Sequence, residues 1–242
     1  MSAEQYRLDI IEKLAHIPAA QWNALLDPDA GPFLKHEFLS TLEETSCVGG
    51  NTGWQVAHLG LYRQTDLIGA MPLYLKQHSY GEFVFDWSWA QAYEQQGMQY
   101  YPKALCAVPF SPVQGARILC LANEDASQVQ AQLIAGLKTL VLENHLSSAH
   151  ILFPQAVEAE ALTAQGFMLR DSVQFHWHNQ DFQSFEHFLS ALTMKRRKNI
   201  RREREQVARE NISFKHVPGS DALDEDWEFF YRRSEERRVG KE

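Results

Sequence analysis

Residues 118–166 read ILCLANEDASQVQAQLIAGLKTLVLENHLSSAHILFPQAVEAEALTAQG. The short apolar run Ile118 to Leu121 has the length of a buried strand, and Ala149 to Phe153 repeats it. Between them, from about Ser127 to Asn144, leucines recur at helical spacing. Ala156 to Gln165 predicts a second helix, closed by a glycine. This alternation predicts an α/β fold, in which helices cover one central mixed sheet.

The patterns outside this stretch complete the predicted domain, because runs of alternating polarity indicate strands and runs of helical period indicate helices. The predicted elements are a strand over Tyr6 to Lys13, helices over Pro18 to Leu26 and Phe33 to Glu44, a hairpin over Trp54 to Leu75, and strands over Phe83 to Asp86 and Met168 to Trp177. The remainder of the chain as far as Pro112 matches no regular element.

A second feature is a cluster of positive charge near the C-terminal end. The chain has 23 Lys and Arg against 31 Asp and Glu, a net charge of −8. Eight of the basic residues fall within one short stretch: Lys195, Arg196, Arg197, Lys198, Arg201, Arg202, Arg204 and Arg209. This stretch belongs to a predicted helix over Ser184 to Glu210, roughly 40 Å long. Its apolar residues share one stripe, so we expect it to lie against the protein and present a cationic ridge.

Two interpretations of the ridge remain open. Charge runs are usually solvated helix faces, but this one has few interspersed acids and could dock a phosphate or carboxylate group. Arg196, Asn199 and Glu203 project into the apolar stripe, so they either form an internal hydrogen-bonded track or place Arg196 against a substrate anion. Residues 1–180 carry twice as many acidic as basic residues, which disfavours DNA and favours a compact, phosphorylated small molecule as partner.

The third feature is a segment rich in Trp, Tyr and Phe, from His78 to Pro112. Aromatic rings of this density can line a ligand cleft, and they fit core packing equally well. Asp86 and Glu82 are candidate general bases, and the tyrosines are candidate proton donors. The candidate catalytic residues are Asp86, Glu82, Tyr101 and His176. The candidate substrate-binding residues are Tyr80, Trp87, Tyr93, Tyr100, Lys103, Lys195, Arg196, Arg197, Lys198 and Arg201.

Several classes of protein are disfavoured. Three cysteines without metal-like spacing make a disulfide framework or a zinc site improbable. His176 and His178 are two apart on a predicted strand, but the spacing suggests no third ligand, so we expect no metal. No apolar run is long enough for a membrane span and no export signal begins the chain, so we expect a cytoplasmic protein. Phosphate-loop, dinucleotide-binding and nucleophile-elbow motifs are absent from the sequence.

The segments His78 to Trp89, Tyr100 to Val113, Gln174 to Trp177 and Lys195 to Glu203 together resemble the bacterial FemAB-like N-acyltransferases of the GNAT superfamily, a family associated with peptidoglycan biosynthesis or recognition. The resemblance covers residues 20–231. It implies two GNAT-like halves in tandem: residues 1–180 as the first, 181–211 as a basic connecting helix and 212–231 as the beginning of the second. Residues 232–242 look like a non-native tail, so we expect a truncated chain whose second half cannot bury its own core.

The resemblance also implies a chemistry, the transfer of an acyl or aminoacyl group to an amine. Acyl-CoA and aminoacyl-tRNA are the donors it suggests, which makes tRNA a candidate partner, and a peptidoglycan precursor is the acceptor it suggests. The Gln/Arg-x-x-Gly-x-Gly/Ala loop with which GNAT enzymes hold coenzyme A is not found in the sequence. A non-catalytic module that recognises a cell-wall precursor, or an inactive fragment, remains the alternative.

Overall fold

The computed structural model describes residues 6–84, 86–210 and 212–239, and of residues 235–239 only the backbone. The chain divides after Asp171 into two compact units. The strands of the first unit are β1 (Tyr6–Ile11), β2 (Trp54–Val56), β3 (His58–Arg63), β4 (Asp66–Met71), β5 (Leu73–Lys76), β6 (Lys103–Cys106), β7 (Leu119–Cys120) and β8 (Ala149–Ile151). Its helices are α1 (Ala19–Asn23), α2 (His36–Glu44), α3 (Trp87–Gln95), α4 (Ala126–Glu143) and α5 (Ala156–Ala164). The mixed α/β fold is thereby confirmed.

The strands form two sheets, whereas the sequence predicts one. The first has the order β1-β3-β4-β7 and the second the order β2-β5-β6-β8. The predicted hairpin does form, but each of its two arms is interrupted, after β2 by Ala57 and after β4 by Pro72. Proline has no N–H to donate to a strand ladder, so the pairing cannot continue through it. The arms therefore leave one sheet and enter the other.

A side chain satisfies the backbone at this junction. The N–H of Leu73, which follows the proline, donates to Nδ1 of His58 at 3.0 Å. The N–H of Ala57 donates to the carbonyl of Leu73, also at 3.0 Å. His58 is fully buried, and a buried backbone N–H without an acceptor would be costly. His58 thus replaces a strand partner where the two sheets separate.

The main core lies under α4. Asp125 caps this helix by accepting from the N–H groups of Ser127 and Gln128, and Leu133 and Leu137 of its apolar face are fully buried. They pack against residues of both sheets, such as Leu59 and Ala104. Burial of a leucine side chain contributes about 1.5–3 kcal/mol relative to exposure, so α4 holds the two sheets together.

The opposite face of the second sheet carries a smaller core and the polar groups described below. Tyr74, Leu105, Trp54 and Val56 are buried in one cluster on this face. In β5, Tyr74 alternates with Leu73, which belongs to the core under α4, because side chains on a strand point to opposite faces in turn. Lys76 lies two residues beyond Tyr74 and therefore on the same face as Tyr74.

The second unit is mostly helical, with α6 (Phe185–Ser190), α7 (Met194–Arg209) and α8 (Asp224–Val239). No strand forms over 168–177, in contrast to the prediction, and none forms over the described residues 212–217. These segments have side chains such as Phe175, which is 95% exposed. They show the alternating pattern of strands, but no strand among the described residues pairs with them. Residues 240–242 of the predicted tail lie outside the described residues.

The predicted long basic helix is broken in two. α6 begins at its cap Ser184, whose hydroxyl accepts from the N–H of His187, and the chain leaves helical geometry before Thr193. Thr193 has φ −61° and ψ 151°, the extended conformation of a residue that precedes a helix. No residue of α7 is buried. The apolar stripe of α7 is therefore not part of a buried core within the second unit. Among the described residues, no helix is both long and apolar enough to cross a lipid bilayer.

Candidate functional site

Two lysines stand opposite each other on adjacent strands of the second sheet. Lys76 of β5 pairs with Lys103 of β6 in the antiparallel register, and both are fully buried. Like charges directly across a strand pair are destabilising, and a buried ammonium requires a partner. The residues that stabilise these two buried ammonium groups form the candidate site.

Lys103 is neutralised by carboxylates from the aromatic segment. Its Nζ donates to Oδ2 of Asp86 at 2.6 Å, to Oε2 of Glu82 at 2.9 Å and to Oγ of Ser79 at 3.2 Å. All three donors of the ammonium are used. Glu82 and Asp86 are 3% and 2% exposed, so the group forms a desolvated charged cluster. The other oxygens, Oε1 of Glu82 and Oδ1 of Asp86, have no hydrogen-bond partner among the described residues.

Two tyrosines extend this network in opposite directions. The hydroxyl of Tyr100 donates to Oδ2 of Asp86 at 2.7 Å and lies 3.5 Å from Nε2 of His150. The hydroxyl of Tyr101 lies 2.6 Å from Oγ of Ser79. Tyr101 is half-buried, so it is the outermost member of a hydrogen-bonded chain that leads inward through Ser79 to Lys103.

The two carboxylates differ in acidity because their hydrogen bonds differ. Burial raises the pKa of Glu82, and Lys103 only partly offsets this effect. Burial would also raise the pKa of Asp86, but hydrogen bonds from Lys103, Ser79 and Tyr100 outweigh it and lower the pKa. Paired carboxylates driven apart in this way are typical of acid–base sites. Glu82 is the carboxylate that accepts a proton more readily.

The buried bases and phenols of the site are shifted toward their neutral forms. Burial, reinforced by the positive charge of Lys103, lowers the pKa of His150 to about 4. Burial and the neighbouring Asp86 raise the pKa of Tyr100. At neutral pH the imidazole is uncharged and the phenol keeps its proton. The net charge of the buried cluster is consequently carried by Lys103, Asp86 and Glu82.

Lys76 is held differently from Lys103. Its Nζ lies 3.6 Å from the centre of the Trp54 ring and donates to the carbonyl of Tyr80 at 3.2 Å. No carboxylate among the described residues forms an ion pair with it. Burial is the main cause that lowers the pKa of Lys76 to about 7. The ring face stabilises the charged form only in part, so burial shifts Lys76 toward its neutral form.

The remaining aromatic candidates surround the cluster. Tyr80 and Trp87 are 66% and 52% exposed, and their rings contact each other edge to face at 5.7 Å. Tyr93 contacts Tyr100 at 5.2 Å. The predicted strand over 83–86 does not form at residues 83, 84 and 86, and Phe85 lies outside the described residues. Asp86 instead precedes α3, a helix that sequence patterns did not predict.

The sequence-predicted residues are thus divided. Asp86, Glu82, Tyr100, Tyr101 and Lys103 come together in the first unit. His176 belongs to the second unit, where it is exposed and its Nε2 lies 2.9 Å from Oε1 of Gln174. The basic candidates of α7 also belong to the second unit. Sequence reasoning missed Ser79, Lys76 and His150; of these, only Lys76 carried a signal, a charged residue within an apolar strand.

The basic helix α7 has two kinds of cation. Some are engaged within the unit: Arg201 pairs with Glu186 at 2.5 Å, Arg209 with Glu205 at 3.8 Å, Arg197 donates to the carbonyl of Ser190, and Arg204 lies over the Phe185 ring. Others have no ion pair or hydrogen bond to any described side chain: Lys195, Arg196, Lys198 and Arg202. Arg196 is exposed, so the internal hydrogen-bonded track does not form. Lys195, Lys198 and Arg202 follow each other at helical spacing and share one face.

The start of α4 does not fit a coenzyme A diphosphate. A free helix N-terminus attracts phosphate through its N–H groups, but here Asp125 already occupies two of them, Ser127 and Gln128. Glu124 adds a second carboxylate beside it, paired with Arg63. Asp125 therefore repels a diphosphate at this helix start, while the charge of Glu124 is balanced by Arg63; the glycine-rich loop is likewise absent from the sequence.

Comparisons with known proteins place this arrangement in context. Similar solved structures include the aminoglycoside N-acetyltransferase AAC(6')-Iy in complex with a CoA-linked bisubstrate analogue (15% identity, TM-score 0.44, 72% of this chain and 99% of that one). Another is an aminoglycoside acetyltransferase from an uncultured soil metagenomic sample in complex with trehalose (12%, 0.41, 73% and 97%). A third is a ribosomal-protein-alanine N-acetyltransferase from Brucella melitensis biovar Abortus 2308 (13%, 0.40, 72% and 100%).

No curated protein matches the sequence. The sequence model of one family, FemAB-like, described as peptidoglycan biosynthesis/recognition, matches residues 13–241. The match includes the aromatic segment, the buried cluster around Lys103 and the basic helix α7. The chain therefore belongs to the FemAB-like family.

Proposed function

We propose that this protein is an N-acyltransferase that acylates an amine of a small anionic acceptor, a peptidoglycan precursor being the class that the family description favours. The observation that carries the proposal is the state of Glu82. It is buried, its pKa is raised, and its Oε1 has no hydrogen-bond partner in the part of the chain that the structure describes. It also ends a hydrogen-bonded chain that begins at the half-buried Tyr101. Such a chain can take up the proton that an attacking amine must lose.

The proposed step keeps the proton within named groups. The acceptor nitrogen bonds to the carbonyl carbon of an activated acyl donor, and the bond from that carbon to the donor's leaving group breaks. The nitrogen gives its proton to the Tyr101 oxygen as Tyr101 passes its own to Ser79. Lys103 releases a proton to Glu82 and, as the resulting neutral amine, takes up the hydroxyl proton of Ser79. Lys103 stays an ammonium and Glu82 becomes neutral. Asp86, held ionised, balances the charge of Lys103 throughout.

The donor is left unnamed in this proposal. The family resemblance suggests acyl-CoA or aminoacyl-tRNA, but Asp125 does not favour a diphosphate at the start of α4. No step above depends on the donor beyond its activated carbonyl.

The test is mass spectrometry of a candidate acceptor incubated with the protein and acyl or aminoacyl donors. An increment of one acyl mass supports the proposal. Tyr101→Phe should lower the initial rate by about a hundredfold, because general base catalysis contributes roughly 10²–10⁴, whereas the exposed control Glu160→Gln should leave it unchanged. Circular dichroism checks that each variant is folded. Absence of any product with every donor, or full activity of Tyr101→Phe, would refute it.

We propose separately that the shared face of Lys195, Lys198 and Arg202, within the second unit, binds a phosphate group. Lys198→Glu should weaken binding of uridine diphosphate, used as a probe, by tenfold or more. Arg209→Glu makes the same charge change at a cation that already has Glu205 as partner, so it should change the affinity less than threefold. Equal effects of the two variants would indicate a general attraction by charge and no specific site on this face.

A recognition module without catalysis is the second candidate. It is favoured by the burial of the cluster, in which each carboxylate is at most 3% exposed. Structural ion pairs also shift pKa values. This candidate predicts that the acceptor binds but gains no mass with any donor.

A further inference from the structure

A second group of buried polar atoms lies where the two sheets separate, apart from the Lys103 cluster. Nδ1 of His58 accepts from Leu73, so the neutral imidazole carries its proton on Nε2. That nitrogen is fully buried and has no hydrogen-bond partner among the described residues. The hydroxyl of Tyr74, whose ring contacts His58 edge to face at 5.1 Å, is buried and without a partner in the same way.

Nε2 of His58 points toward the carboxylate of Glu43. The distance to Oε1 is 3.6 Å, beyond the reach of a normal hydrogen bond. Glu43 lies near the end of α2, and its oxygens accept from the N–H of Leu14 at 3.0 and 3.3 Å. The carboxylate is therefore fixed from one side by the backbone and faced from the other by an imidazole N–H. It is oriented in advance, with part of its accepting capacity unused.

Glu43 forms part of the wall of an open cavity of about 680 Å³. Three carboxylates, those of Glu12, Glu43 and Glu44, line it together with the single ammonium of Lys13. The negative charges are spread over several elements around a space of ligand size. An organic cation therefore suits the cavity better than an anion.

We infer that this cavity binds a primary ammonium group, with Glu43 as the carboxylate that receives it. The ammonium donates to Glu43 and is attracted by Glu44 and Glu12, while Nε2 of His58 faces Glu43 from the other side at 3.6 Å. No residue of the Lys103 cluster lines this cavity, so the ammonium that it receives is distinct from the nitrogen acylated beside Tyr101. The binding itself does not depend on transferase activity.

The experiment measures binding in the absence of any acyl donor. Nα-acetyl-lysine methylamide serves as the ammonium probe, and Nα-acetyl-6-hydroxynorleucine methylamide, in which a hydroxyl replaces the ammonium, serves as a neutral match of nearly the same shape. Isothermal titration calorimetry at low ionic strength should show at least tenfold tighter binding of the ammonium probe by the unmodified protein. Equal affinity for both probes, or no binding of either, would overturn the inference.

Variants then locate the site. Glu43→Gln should reduce the preference for the ammonium probe tenfold or more, whereas Glu160→Gln, an equal charge change on exposed α5, should leave it within twofold. Because Glu43→Gln could also disturb the contact with Leu14, the exposed Glu44→Gln provides a second test and should reduce the preference about threefold. Unchanged preference in Glu44→Gln and a folded Glu43→Gln would overturn the site. Amine binding without acylation would leave this inference standing and refute only the proposed function.

Discussion

The two units of this chain treat their charges in opposite ways. In the first unit, Lys103 is fully buried and is matched by Asp86 and Glu82, which are also buried. In the second unit, Arg201 and Glu186 form an ion pair at the same short distance, but their side chains are 51% and 67% exposed. The same kind of ion pair is therefore buried away from water in the first unit and exposed to water in the second.

This difference shows which charged residues determine the stability of the fold and which are available to bind a ligand. Removing water makes an unmatched charge very costly, so the buried cluster has fixed partners and shifted pKa values. Solvated charges cost little to leave unpaired, so Lys195, Lys198 and Arg202 can remain free for a ligand. The basic residues of α7, which are the most conspicuous charges in the sequence, thus include those with the fewest fixed partners among the described residues.

The largest change in the free energy of unfolding is expected when one partner is removed from each ion pair. Asp86→Ala leaves Lys103 buried with an incomplete set of partners and should lower the free energy of unfolding by about 3–5 kcal/mol. Glu186→Ala removes the same kind of partner from exposed Arg201 and should cost less than about 1 kcal/mol. Urea denaturation followed by tryptophan fluorescence measures both.

The ratio of the two losses in the free energy of unfolding, for Asp86→Ala and for Glu186→Ala, tests the comparison between the units. If Asp86→Ala and Glu186→Ala cost the same, burial is not what distinguishes the two pairs. Asp86→Asn is a useful intermediate, because the amide keeps an oxygen for Lys103 while the charge is lost, and it should cost less than the alanine variant.

The next largest effect is the dependence of protein stability on pH that Lys76 causes. Its pKa is lowered to about 7, whereas the unfolded chain has an ordinary lysine near 10.4. Between these values the unfolded state binds the extra proton, so stability rises as pH increases from 7 and falls as pH decreases toward 7. From pH 7 to 9 the gain from this group should be about 2 kcal/mol.

Lys76→Met isolates this contribution, because methionine fills a similar volume beside Trp54 without a titrating group. Denaturant midpoints at pH 7, 8 and 9 should rise for the unmodified protein and stay nearly level for the variant. Lys138→Met, at an exposed residue of α4, is the matched control and should keep the rise. Parallel pH profiles for Lys76→Met and the unmodified protein would contradict the assignment.

The fold could be predicted from sequence where one face of an element is buried. α4 and its flanking strands follow from the leucine spacing around Leu133 and Leu137, because burial imposes the period. The separation into two sheets was not predicted, although Pro72 lies within the predicted hairpin and a residue without an N–H interrupts strand pairing. The 168–177 segment shows the converse, because an alternating pattern gives a strand only where a partner strand exists.

The candidate site was predictable in composition but not in arrangement. Glu82, Asp86, Tyr100 and Tyr101 stood out as polar groups in an aromatic segment, and they do come together. Their partner Lys103 was expected to face a substrate, whereas the strand register buries it opposite Lys76. A register is a long-range property, so no local pattern could reveal which carboxylates would neutralise it.

The smallest expected effect tests whether exposed apolar side chains of the second unit contribute to stability at all. Phe175 is 95% exposed, so Phe175→Ala removes little buried area and should change the free energy of unfolding by less than about 0.5 kcal/mol. Val157→Ala on α5, where the side chain is 77% exposed, is the matched change in the first unit and should be equally silent. Denaturant midpoints for both variants measure this, and a loss above about 1.5 kcal/mol for Phe175→Ala alone would mean that its ring is buried in solution. The contrast between the units would then concern the partners of the second unit rather than its exposure to water.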